Sequence, residues 1–208
     1  PDEIPSWDSY PDRYKPVATR LMEVFAGFLA HTDAQVDRIL DAIDEIGCTD
    51  DTFIIYITGD NGASAEGTIN GAWSAPSFQN GVHEDPEWLL DHIDDFGTRH
   101  CENHFNVGWA WALDTPFKWM KQVASHFGGT RNAMVMSWPA GIHQSDELRN
   151  QFHHVIDIGP TILEAAGIEW PDSVNGIKQD PIDGVSMQYL FDNPSEKSHR
   201  QTQYFEIL

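Results

Sequence analysis

Asp60 and Asn61 stand side by side in the run Gly59, Asp60, Asn61, Gly62. Together they offer a carboxylate oxygen and an amide carbonyl oxygen, a donor pair that suits a hard cation such as Ca²⁺ or Mg²⁺. The same triplet is also a common tight-turn sequence. The next residues bear on the choice, because a hairpin turn leads at once into a second strand and residues 63–70 carry no strand pattern. Lys121 closes the segment Thr115, Pro116, Phe117, Lys118, Trp119, Met120, Lys121, shortly before Gly128 and Gly129. An ammonium beside flexible glycine backbone can hold a tetrahedral oxyanion, although most lysines are solvated surface groups. His100, Cys101 and His104 are potential zinc ligands, as are His153 and His154, but the HCENH spacing is not a recurrent zinc pattern. Those histidines read instead as polar loop residues, and His153, His154 and Asp157 as the lead-in and cap of a helix.

These residues need elements to position them. Residues 1–16, rich in Pro, Asp and Tyr, read as a surface entry loop. Leu21, Val24, Phe25, Phe28, Leu29, Val36, Ile39, Leu40 and Ile43 keep the spacing of one buried helix face, with Gly47 as the stop. Residues 52–58 (TFIIYIT) form a β-branched and aromatic run of the kind buried on both faces in a parallel sheet, and they end at Asp60 and Asn61. Ligands in open α/β sheets collect at the carboxyl ends of strands, so this pair stands where chemistry is expected. Residues 63–114 are irregular apart from a helical stretch near Glu87 to Ile93, which predicts a lid-like insert. Regular pattern resumes over 115–125, a strand is predicted over 133–138 before Pro139, and a helix over 158–166 with Asp157 as N-cap and Gly167 as C-cap.

Composition bounds the function classes. The chain of 208 residues has 40% apolar residues and 8 Trp, enough to build a core and too many for disorder. Acidic residues outnumber basic ones by 33 to 12, a net charge of -21 that repels nucleic acid and anionic membranes. An anionic substrate therefore requires a local cationic pocket. The two cysteines, Cys48 and Cys101, are too few for a disulfide scaffold, and no apolar run is long enough to span a membrane. Pro1 at one end and a strand-like 203–208 at the other lead us to expect a piece of a larger domain, with compartment and oligomeric state open.

A strand ending in GDNG, TPF with a lysine five residues after its proline, GGTR leading to a strand and WPAGI, and HHVIDIGPTILEAAGI succeed one another in order. This series resembles the type I sulfatases (arylsulfatases) of the alkaline phosphatase superfamily. The resemblance implies an α/β fold, a mixed sheet flanked by helices, with this chain as an incomplete, middle and later part of the catalytic domain. Its parts would be residues 16–62 as helix, strand and metal loop, 63–114 as the insert, and 115–208 as lysine segment, strand and helix. It further implies that Asp60 and Asn61 complete the shell of a Ca²⁺ ion, with Mg²⁺ second, and that Lys121 contacts the sulfate of a small-molecule ester. Phe127 departs from the pattern: the family commonly has Glu before the double glycine and one residue fewer after the lysine, while the spacing from Pro116 selects Lys121 over Lys118.

The family nucleophile is a formylglycine made within a C/S-x-P-x-R motif. Neither Cys48 nor Cys101 lies in one, and Ser74 to Phe78 fails because Phe78 stands where Arg is required. The nucleophile is therefore expected upstream of this chain, and the chain alone is expected to be inactive. Two alternatives accompany this reading. One is a phosphodiesterase or phosphonate hydrolase of the same superfamily, many of which put histidine where Asn61 stands. The other is a non-catalytic sulfatase-like binding protein.

Overall fold

A computed structural model describes residues 3–59, 61–144 and 147–206. The chain divides into two compact units, one formed by Pro1–Ala42 with Ile57–Met134 and the other by Ile43–Tyr56 with Val135–Leu208.

The first unit begins with a turn over Asp12–Tyr14 and the long helix α1, Lys15–Glu45, whose last residues enter the second unit. Its N-terminal turns build the core: Val17 and Leu21 are buried with Leu89, Phe96, Phe105, Ala110 and Met120. The predicted apolar stripe does not stay buried along the whole helix. In the later turns Phe28 is 67% and Ile39 61% exposed, while Val36 and Ile43 are half-buried. Helix propensity and local hydrogen bonds hold those turns without full burial.

Residues 63–114 hold more order than their irregular pattern suggests, with α2 at Ala75–Gln79, α3 at Pro86–Asp91 and α4 at Val107–Asp114. The Asp85 carboxylate caps α3 by accepting from the Glu87 N–H at 3.1 Å, and the Asn106 side chain caps α4 through the Trp109 N–H at 3.2 Å. The segment is tied to α1 by the Trp109 indole, which donates to the Ala18 carbonyl at 2.9 Å, and by the edge-on contact of Phe25 with Phe105. Residues 115–125, where regular pattern is predicted, form successive turns with Trp119 and Gln122 at positive φ.

Strand β1, Ile54–Ile57, pairs with β2, Met134–Ser137, and α5, Phe127–Thr130, precedes β2. The run 52–58, expected to be buried on both faces, is half-buried in β1, since this sheet has only two described strands; β2 is largely exposed. In the second unit Phe53, Trp138 and Phe191 pack ring on ring. Helix α6, Ile158–Ala165, ends where the Ile168 N–H returns to the Leu163 carbonyl at 2.9 Å, with Gly167 in the left-handed region. An antiparallel hairpin, β3 at Ser173–Val174 and β4 at Ile177–Lys178, turns through Asn175 and Gly176, both at positive φ as a type I′ turn requires. Residues 203–206, the described part of the strand-like ending, form no strand.

Candidate functional site

Asp60 lies outside the described residues, so the site is built from its neighbours. After β1, Thr58, Gly62 and Ala63 are held by residues 114–121 and by the residues leading into β2. The Thr58 N–H donates to the Ala133 carbonyl at 3.3 Å, and the Gly62 N–H donates to Asn132 Oδ1 at 2.9 Å. The Ala63 N–H is shared between both carboxylate oxygens of Asp114 at 3.2 Å. In return the Ala63 carbonyl accepts the Lys121 backbone N–H at 3.1 Å. Gly62 sits at φ +81, and a Cβ there would collide with the Gly128 carbonyl oxygen. Gly128 in turn packs against the Trp119 and Lys118 carbonyls, so both glycines permit a backbone approach that any side chain would block.

Two segments about sixty residues apart in sequence thus meet as backbone on backbone. Asn61 is exposed at the tip of the first segment. Lys121 is partly buried, with its side chain 29% exposed and its Nζ 3.4 Å from Glu66 Oε1. Lys118 is exposed. Burial pushes the Asp114 carboxyl above its ordinary value, and the Ala63 N–H partly offsets that push. Glu66, Asp114 and Asn132 carry no motif of their own in the sequence. The only signals for them are their places beside the motifs: Asp114 precedes Thr115, and Asn132 comes just after the GGTR turn.

The histidine and cysteine candidates have other partners. His104 Nδ1 lies 2.8 Å from the Phe105 carbonyl oxygen, and Cys101 Sγ lies 3.2 Å from that of Trp73. Burial, opposed by backbone hydrogen bonds, pushes the Cys101 thiol up to about 11. In the second unit His154 caps the turn Val155–Asp157, in keeping with the predicted lead-in. Asp157 immediately precedes α6, but its carboxylate does not cap that helix. It is fully buried and receives the Arg200 guanidinium, the Val185 N–H at 2.7 Å, the His154 N–H at 3.0 Å and His153 Nδ1 at 2.9 Å. Burial alone opposes the charge on Asp157. Arg200 and the surrounding N–H donors outweigh it and hold the carboxyl well below the usual range.

A sequence model of the sulfatase family matches residues 4–168, most of the chain. The chain belongs to the sulfatase family. It is 30% identical over 166 residues to an uncharacterized sulfatase of Schizosaccharomyces pombe, covering 80% of this chain and 28% of that protein. It is 24% identical over 185 residues to an arylsulfatase of Klebsiella aerogenes, covering 88% of this chain and 38% of that one. This sulfatase chain therefore spans about a third of the length of these curated relatives. Family membership implies the alkaline-phosphatase-like α/β fold, to which the helices and small sheets conform. The matched region contains the junction of the two site loops and ends just beyond α6.

Proposed function

We propose that this chain contributes half of a metal site and one sulfate-binding lysine to a sulfatase, a sulfuric ester hydrolase of arylsulfatase type. The intact enzyme would convert R–O–SO₃⁻ and water to R–OH and HSO₄⁻, with R an aryl or related organic group. The observation that carries the reading is the backbone junction, which sets the loop of Asn61 against the segment of Lys121. Fixed donors aimed at developing charge stabilise a transition state without reorganising, and a junction of this rigidity is what such donors need.

The oxygen donor set suits a hard cation. In this proposal Asp60 and Asn61 hold Ca²⁺, which supplies positive charge beside the sulfate oxygens when bound. Lys121 neutralises charge on the sulfate or on the leaving oxygen. Gly62 and Gly128 keep the two loops in contact, and the Ala63 backbone links Lys121 to Asp114, its carbonyl accepting from the Lys121 N–H and its own N–H donating to the Asp114 carboxylate. The nucleophile, a formylglycine in this family, is proposed to come from upstream sequence. Residues 63–114 are proposed to cover the substrate in addition to their packing against α1.

The test uses the intact protein that carries this chain, assayed with an aryl sulfate and a phosphodiester in parallel. Lys121→Ala is expected to lower kcat for the sulfate ester by roughly 100-fold, with metal content unchanged, while Lys118→Ala stays near wild type. A poor leaving group should magnify the loss if the lysine acts on the leaving oxygen. A crippled Lys118→Ala beside a normal Lys121→Ala would move the role by one turn of chain. Stoichiometric zinc with preferential phosphodiester hydrolysis would replace the sulfatase reading with the phosphodiesterase one, and a protein that binds sulfate esters without turnover would make it a binding homologue.

A further inference from the structure

Glu66 is the residue of this site that neither the motifs nor the proposed chemistry accounts for. Its side chain is 19% exposed, and both carboxylate oxygens are engaged. Oε1 meets Lys121 Nζ at 3.4 Å and Gln122 Nε2 at 3.3 Å, while Oε2 accepts the Ser64 hydroxyl at 3.2 Å. The Ser64 oxygen accepts the Glu66 N–H at 3.3 Å, which locks the carboxylate to its own loop. Adjacent side chains 121 and 122 both reach one oxygen from a sharply turned backbone, with Gln122 at φ 75 and Trp119 at φ 64. Non-glycine residues at such angles cost of order 1 kcal/mol each and persist where the surroundings over-determine them.

A lysine ammonium is a strongly hydrated point charge on a flexible four-carbon stem, so it does not fix its own position. From this geometry we propose that Glu66 is a positioning residue: it fixes the Lys121 ammonium to the loop that carries Asn61, setting lysine and metal loop in one frame. The proposal rests on the sulfatase reading for its kinetic consequence and on the ion pair alone for its structural one. Glu66 touches no reacting atom and acts through Lys121. Its removal frees the ammonium to wander without weakening the attraction of the site for an anion.

The experiment is a double-variant cycle in the intact protein. Glu66→Ala is expected to lower kcat for an aryl sulfate about 10-fold, with KM unchanged or lower, because orientation and not ground-state attraction is lost. Glu66→Gln, which retains an oxygen acceptor of the same length, should recover most of that loss and guards against misfolding of the alanine variant. In a Lys121→Ala background the further change to Glu66→Ala should have almost no effect. Independently of turnover, acylation of Lys121 by acetic anhydride, read by mass spectrometry, should accelerate several-fold in Glu66→Ala. Additive kinetic losses, or a raised KM at unchanged kcat, would overturn the positioning role. Unchanged Lys121 acylation would overturn it even in a protein without sulfatase activity, whereas accelerated acylation in such a protein would leave the tether standing and sink only the sulfatase reading.

Discussion

Single residues here divide between chemistry and architecture, and residue type alone does not separate them. Asp60 and Asp157 are both aspartates shortly after a hydrophobic run, yet Asp157 is occupied by Arg200, His153 and two backbone N–H groups and has no capacity left for a metal or substrate. Removing one partner of a buried ion pair strands the other, so Asp157→Asn should destabilise the protein by about 3 to 5 kcal/mol in urea titration, with Arg200 left unpaired. The pH dependence has a definite sign. Because the folded Asp157 carboxyl lies below its unfolded value, its contribution is complete above roughly pH 4 and is lost as pH falls below that toward the depressed folded value. Wild-type stability should therefore drop through this acid range more steeply than that of Asp157→Asn. Parallel curves would show that the carboxylate is not the charged hub described.

At the scale of elements, the site is a meeting of two loops, not of two helices or strands. At the crossing backbone lies directly against backbone, with the Asn132 and Asp114 side chains accepting from the Gly62 and Ala63 N–H groups, and this close approach makes glycine the critical residue. Gly62→Ala introduces a Cβ at φ +81 directly against the Gly128 carbonyl. The left-handed angle alone costs roughly 1 kcal/mol, and the collision adds to it, so a loss of about 2 kcal/mol or more is expected in thermal unfolding. Gly176→Ala is the control: it also carries positive φ but meets nothing within 4 Å, so only the angle penalty applies. If the two variants cost the same, the loops are not in contact at Gly62. The long helix α1 illustrates the converse, an element formed by local propensity whose later apolar residues remain exposed.

On the scale of the whole molecule, a chain with net charge -21 must attract an anionic ester locally or not at all. In the proposed reading, a bound divalent cation and one tethered lysine would serve that purpose with few positive charges. Metal binding to the folded protein also raises its stability by mass action. Ca²⁺ at about 100 times its Kd should stabilise the intact protein by roughly 2.7 kcal/mol, read as a rise in Tm that a chelator reverses. Asp60→Ala should abolish that rise, while Asn61→Asp should keep it because an oxygen donor remains. A full Ca²⁺-dependent rise in Asp60→Ala would remove Asp60 from the site. The part-length match to curated relatives makes the intact protein the proper subject of these measurements.

Local pattern in the sequence suffices for α1, for β1 and β2 within two residues at each end, and for α6 with Gly167 beyond its end, because periodicity and capping are written in near neighbours. The motifs also single out Asn61 and Lys121 as the residues that the proposed reading places in one site. The polar residues around them are not legible in the same way. Glu66, Asp114 and Asn132 acquire their roles only when chain segments fifty to seventy residues apart are brought together, and no local signal encodes a long-range partner. The hairpin of β3 and β4 lies outside the predicted elements, although its Asn175 and Gly176 turn is a local signal. Burial was the least legible property. The same apolar spacing buries Leu21 and exposes Ile39, because burial depends on what packs against a face and not on the residues that form it.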